Sequence, residues 1–279
     1  MKYLGYYNGE IGEFENMKIP MSDRVCFFGD GVYDATYSRN YKIFCIDEHI
    51  DRLFRSASLL KINTNITKNQ LKNLLECLVK KMDTPNNFVY FQLSRGLSKR
   101  THDFDENLSS NLLINIFHKE INDVYKKVNL ITKEDTRFFH CNIKTLNLIP
   151  SVMASQLAKE NNCFETIFHR NNRVTECAHS NISIIKNNTL ITAPTDNLIL
   201  AGITRANLLK TCSKLNIPFV EKAFYLDELF SADEIIITSA GSLCISAYEI
   251  DKIKVGGKSP YLLKALQDDM LNQFITKTT

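Results

Sequence analysis

The sequence predicts a mixed α+β fold in two lobes, and three observations predict it. Short runs rich in β-branched and aromatic residues recur along the chain, several of them paired across turns such as Asn8-Gly9. Between them lie segments with apolar residues at helical spacing. A polar stretch, HKEINDVYKK at 118–127, divides the chain near its middle. It is short and not Gly/Ser-rich, so it joins two packed lobes and is not a loose tether. The expected division is 1–118, a linker at 119–127, and 128–279.

Each element follows from local chemistry. YLGYYNGEIG forms a hairpin turning at Asn8-Gly9, and VYDATYS and KIFCI form a second, turning at Arg39-Asn40. Asp47 is the expected N-cap of a helix running to about Leu60, with Ile50, Leu53, Phe54, Ala57 and Leu60 on its inner face. Thr67 caps the next helix, whose apolar stripe is Leu71, Leu74, Leu75, Leu78, Val79 and Met82. Strands follow at FVYFQLS, NLLINIF and around VNLIT. A helix spans about Pro150 to Asn161, with Pro150 suited to the first helical position. FETIFHR and VTECAHS turn at Asn171-Asn172, and NISIIKNNTLITA turns at Asn187-Asn188. GITRANLLKTCSKLN is a helix entered through Gly202, and DEIIITSAGS is a buried strand ending in a loop of small residues.

Bulk properties remove several function classes. In 279 residues, 34 Lys and Arg against 31 Asp and Glu give a net charge of +3, too small to argue for nucleic acid or an anionic membrane. No segment has the roughly 20 apolar residues of a membrane span, and the N-terminus turns polar too early for a secretory signal. The eight cysteines are scattered with no C-x-x-C pair, which argues against a metal site or a disulfide framework and fits a reducing cytoplasm. There is no P-loop, no Rossmann glycine fingerprint, no G-x-S-x-G elbow and no metal triad.

The residues with chemical potential are individually ordinary. Lys144 sits in CNIKTLNLI, an uncharged neighbourhood that permits a desolvated, nucleophilic amine. In isolation, a solvated surface lysine is the commoner outcome. Gly202 leading into Ile203 and Thr204 makes a helix start suited to an anion, and ITSAGS, with Ser239 and Ala240, offers backbone amides to the same anion. Arg52 beside acidic residues reads as a helix ion pair, and Glu176 as a loop carboxylate. SRGLSKRTHDF gathers Arg95, Lys99, Arg100 and His102 in one loop able to bind a carboxylate.

Taken together and in order, FGDGVYDA, DEHIDRLFRSA, YFQLSRG with RTH, CNIKTLNL, RNNRVTECAHSN and LAGITRANLL resemble the class IV (fold type IV) pyridoxal-phosphate aminotransferases. The similarity is greatest to the bacterial D-amino acid aminotransferases and runs from about Tyr3 to Phe274. It implies a smaller N-terminal α/β lobe and a larger C-terminal lobe with a barrel-like β core, with the cofactor in the cleft between them. Lys144, placed in the C-terminal lobe, would form the Schiff base with pyridoxal 5'-phosphate and shuttle the substrate proton. Glu176 would face the pyridine nitrogen. Arg52, Ile203, Thr204, Ser239 and Ala240 would hold the phosphate. Tyr33, Arg100 and His102 would hold the substrate α-carboxylate, with Arg100 and His102 arriving from a neighbouring subunit, which implies a homodimer with composite sites. The sequence departs from the family at His179, where serine is frequent, at Ala240 and Gly241, where hydroxyl residues are common, and at Asn142, where aspartate is frequent.

The implied activity is transfer of an amino group between D-amino acids, such as D-alanine or D-glutamate, and 2-oxo acids, such as 2-oxoglutarate or pyruvate. Branched-chain L-amino acid aminotransferases and aminodeoxychorismate lyases share the lysine, the glutamate and the phosphate elements and are the alternatives within the fold. A cofactor-binding protein without turnover, or a simple anion-binding domain, leaves most of the motifs unexplained.

Overall fold

The computed structural model describes residues 1–279. It divides into two compact units, one made of Met1–Glu120, Ile143–Asn147 and Phe274–Thr279, the other of Ile121–Asn142 and Leu148–Gln273.

The first unit contains β1 (Tyr3–Tyr7), β2 (Glu10–Glu13), α1 (Arg24–Phe28), β3 (Gly31–Arg39), β4 (Lys42–Ile43), α2 (Ile46–Leu59), α3 (Lys68–Val79), β5 (Asn87–Ser94) and β6 (Asn111–His118). Its strands form one antiparallel sheet in the order β2-β1-β6-β5-β3-β4. Asn8 and Gly9 both take positive φ, the mirror-image turn that matches strand twist. The second hairpin turns at Asn40-Tyr41, one residue later than expected, because Arg39 still pairs with Lys42. Helix α2 also departs from expectation at its start. Cys45, in the left-handed region, is its N-cap, and Asp47 lies in the first turn, where it complements the helix dipole and pairs with Lys72. Thr67 and Gln70 form the capping box of α3. Leu53, Ala57, Leu71, Leu75 and Leu78 close on Val89, Phe91, Ile114 and Ile116 to form this unit's core.

The segment bearing Lys144 was expected with the C-terminal half but packs in the first unit. The cause is backbone pairing along the edge of β3 that short β4 leaves uncovered. Tyr33 N–H donates to Lys144 O at 3.0 Å, Leu146 N–H donates to Gly31 O at 3.1 Å, and Val32 and Thr145 form a bridge. Gly31 is required there, since a Cβ would meet Leu93 O at 2.6 Å and Leu146 Cδ1 at 2.7 Å. Ile143 adds its side chain to the core.

The second unit contains β7 (Lys127–Glu134), α4 (Ile149–Glu160), β8 (Glu165–Arg170), β9 (Arg173–Cys177), β10 (Asn181–Lys186), β11 (Thr189–Thr192), α5 (Ile203–Lys214), β12 (Phe219–Glu221), α6 (Leu226–Phe230), β13 (Glu234–Thr238), β14 (Ile245–Ile250), β15 (Ile253–Lys254) and most of α7 (Pro260–Lys277). The strands run β12-β11-β10-β13-β14-β7-β8-β9, with β15 on β14, and the sheet curls into the expected half-barrel. Pairs β7–β8, β14–β7 and β11–β12 are parallel. Its core is aliphatic, drawn from Ile182, Ile184, Ile235, Ile237, Ile245 and Leu130. The Asn171-Asn172 and Asn187-Asn188 turns form with positive φ at all four positions. The eight cysteines form no disulfide with one another, and no helix is long and apolar enough to cross a membrane.

Candidate active site

The first unit brings Lys144, Tyr33 and Arg52 onto neighbouring elements. The Lys144 ammonium lies 4.3 Å from the centre of the Tyr33 ring, an electrostatic contact available to a cation without an acidic partner. Its backbone is fixed on both sides, since Lys144 N–H also donates to Ser56 Oγ on α2 at 3.2 Å. The side chain is thus presented by main-chain bonds and not by its own charge. Tyr33 stacks on Tyr90 at 5.4 Å, and the Tyr90 hydroxyl donates to Gln92 at 2.7 Å.

Arg52 belongs to a buried network that sequence reasoning missed. Alternation along β3 sends Asp34 to the helix-covered face with Val32 and Thr36, where the Asp34 side chain is fully buried. Arg52 donates to Asp34 through Nε and Nη2, both at 2.8 Å, and His49 Nδ1 lies 2.7 Å from Asp34 Oδ1. Burial pushes the Asp34 carboxyl up, but Arg52 and His49 together outweigh it and hold the group far below the usual carboxylate range. Burial lowers the pKa of His49, against the pull of Asp34 and with help from Arg52 and Lys144. The network fixes the direction of the Arg52 guanidinium. A charged residue at a buried strand position was the available signal, with His49 and Arg52 three apart on one helix face.

The loop with four basic residues separates into two groups. Arg95 is buried, bonded to Asp30 and to the carbonyls of Lys61 and Leu60, and so is structural. Arg100 and His102 are exposed, each resting on the ring of Phe28 at 5.4 Å. Neither makes an ion pair.

The second unit holds Glu176, the α5 start and the Ser239–Ala240 turn. Glu176, one residue before the end of β9, is a buried carboxylate and accepts from Arg137 at 2.5 Å, from Asn181 Nδ2 at 3.2 Å and from Leu200 N–H at 2.9 Å. Arg137 also grips Asp135 through two nitrogens and lies 4.6 Å from the Phe168 ring. Desolvation pulls its pKa down, but Asp135 and Glu176 leave it raised, so it remains a cation. This partner of Glu176 carried no sequence signal beyond a basic residue 39 positions earlier.

Gly202 caps α5, and a Cβ there would meet Asn181 Oδ1 at 1.9 Å. The amides of buried Ile203 and Thr204 therefore begin the helix with no side-chain cap. Ser239 O accepts from Ser242 and Leu243 N–H, closing the turn that carries Ala240. His179 is half-exposed, with its backbone N–H and Nδ1 on the buried Glu165 carboxylate.

These groups match the demands of a pyridoxal phosphate: an amine without a carboxylate partner, a buried carboxylate, and an uncapped helix start for a phosphate. Residues 31–250 match the amino-transferase class IV family profile. The chain is 35% identical to the D-alanine aminotransferase of Bacillus licheniformis, over 100% of this chain and 99% of that protein. A D-alanine aminotransferase of Staphylococcus haemolyticus is 33% identical over 97% of each. Among solved structures, the branched-chain amino acid aminotransferase of Escherichia coli superposes with a TM-score of 0.90 at 19% identity, over 99% of this chain and 96% of that one. With the whole length matched in sequence and in fold, the chain belongs to the class IV aminotransferases.

Proposed function

We propose that this protein is a pyridoxal-phosphate-dependent transaminase that moves an amino group between D-amino acids and 2-oxo acids. The observation that carries the reading is the similarity to D-alanine aminotransferases at 33–36% identity along essentially the whole chain. When bound, pyridoxal phosphate supplies an electron sink for the bond broken at the substrate Cα. Lys144 would hold the cofactor covalently, and its amine would carry the proton at the substrate Cα. Glu176, kept in place by Arg137, Asn181 and the Leu200 amide, keeps a proton on the pyridine nitrogen. Arg52, Ile203, Thr204, Ser239 and Ala240 bind the phosphate; Asp34 aligns the first of them.

Tyr33, Arg100 and His102 bind the α-carboxylate. The absence of any acidic partner for Arg100 and His102 suits that task, since a bound carboxylate would complete them. The protein works as a homodimer in which each chain lends its Arg100 and His102 to the other. Eight cysteines without a disulfide among them fit a reducing, cytoplasmic setting.

The test is a two-substrate assay with both enantiomers. D-alanine with 2-oxoglutarate is expected to give pyruvate and D-glutamate. Turnover of L-leucine or aminodeoxychorismate, with none of D-alanine, would assign the chain to the other activities of this fold.

A further inference from the structure

We propose that Arg24 is a positioning residue: its buried guanidinium clamps the loop that carries Arg100 and His102 and so sets the affinity for the substrate α-carboxylate. The proposal rests on the carboxylate-binding role assigned above to those two residues.

The clamp is built from the short helix α1. Its N-cap Asp23 is buried and accepts from Val25 N–H, Ser94 Oγ and Asn111 Nδ2 at 2.8–3.0 Å. Gly29, in the left-handed conformation, ends the helix. Four residues apart, Arg24 and Phe28 share one side of it. Arg24 is 3% exposed. Its Nη1 donates to the carbonyls of Thr101 at 2.9 Å and Asp103 at 3.1 Å, and Nη2 to that of His102 at 3.4 Å. Three consecutive carbonyls on one guanidinium define the backbone course around His102. Nη1 also reaches Ser98 Oγ at 3.3 Å.

The other side of the guanidinium is equally fixed. Nε donates to Asp30 Oδ2 at 2.8 Å, and the same oxygen accepts from Arg95 Nε at 2.8 Å. Arg95 in turn lies 3.7 Å from the ring of Phe104, just beyond the clamped carbonyls. The loop entry is tied by the main chain. Arg24 N–H donates to Gly96 O, and Ser98 N–H donates to Ser22 O, each at 3.0 Å. Gly96 has φ +117, and a Cβ there would meet Ser109 O at 2.2 Å.

Three side chains converge on one ring. Phe28 takes Arg24 at 4.8 Å, Arg100 at 5.4 Å and His102 at 5.4 Å. The exposed pair is therefore held at a set spacing by the buried Arg24 and the half-buried Phe28, which is how a binding pair is preorganised before ligand arrives.

Arg24→Lys separates this role from a general structural one, because it keeps the charge beside Asp30 but lacks the fork that spans three carbonyls. The expected result is a rise in KM for D-alanine and for 2-oxoglutarate of about tenfold or more, both substrates bearing an α-carboxylate, with kcat changed by less than about threefold. The cofactor absorbance stays that of the parent protein. Trypsin cuts the native variant after Lys99 or Arg100 at least several times faster than the parent. A folded Arg24→Lys protein with unchanged KM for both substrates overturns the proposal. Arg100→Ala run in parallel identifies the fault: if it too leaves KM unchanged, the carboxylate-binding role itself is wrong. If it raises KM while Arg24→Lys does not, the clamp alone is wrong.

Discussion

Lys144→Ala is expected to lower transamination by about 10⁴-fold or more, since the proposed function gives one amine both the covalent anchoring and the proton transfer. The same substitution leaves the fold in place. The Lys144 main chain is bound by Ser56 Oγ and by Tyr33 N–H, and its side chain makes a ring contact with Tyr33 but no ion pair. Circular dichroism and thermal unfolding of the variant should resemble those of the parent protein, while the visible absorbance of the bound cofactor shifts. A variant that keeps more than a few per cent of parental turnover would remove Lys144 from the chemistry.

The second large effect concerns stability. Asp34→Ala strips a fully buried carboxylate from between His49 and Arg52, whose side chains are 2% and 13% exposed. Removing one member of a buried charged set leaves the others uncompensated and is expected to destabilise the protein by about 3–5 kcal/mol, measurable by urea unfolding. The pH dependence follows from both pKa shifts. Asp34 titrates below its unfolded value, so its contribution is present above the ordinary carboxylate range and is lost as pH falls from there. His49 titrates below its own unfolded value, near 6.5, so the unfolded chain takes up that proton first and stability falls as pH drops through that region. Both slopes have the same sign, so the melting temperature of the parent falls on acidification. Asp34→Ala flattens the more acidic part of that profile.

What the sequence disclosed depended on how local the cause was. The Asn8-Gly9, Asn171-Asn172 and Asn187-Asn188 turns could be read directly, because two adjacent residues tolerant of positive φ specify the hairpin. The Thr67 cap was legible for the same reason. The α2 start was not: Asp47 looked like a cap, but Cys45 takes a left-handed conformation that no local pattern announces. The placement of Lys144 in the first unit was hidden because it rests on pairing with a strand more than 100 residues earlier. Helices α1, α6 and α7 went unread; α1 is only five residues long and owes its stability to the distant partners Ser94 and Asn111.

The candidate site divides along the same line. The residues proposed to face ligand, Lys144, Glu176, Arg52, Tyr33, Arg100 and His102, stand in motifs whose order could be recognised. The residues that aim them, Asp34, His49, Arg137, Arg24 and Asp30, act through ion pairs that join different elements of the fold. Composition carries no trace of such pairing, although Asp34 on an otherwise buried strand face hinted at it.

The central claim is that Lys144 is the residue on which pyridoxal phosphate is held. Its most direct test is borohydride reduction of the protein loaded with pyridoxal phosphate, followed by proteolysis and mass mapping. A phosphopyridoxyl group on the peptide containing Lys144, absent from Lys144→Ala, is the predicted result. The label on any other lysine, or none on a protein that turns over D-alanine, would contradict it.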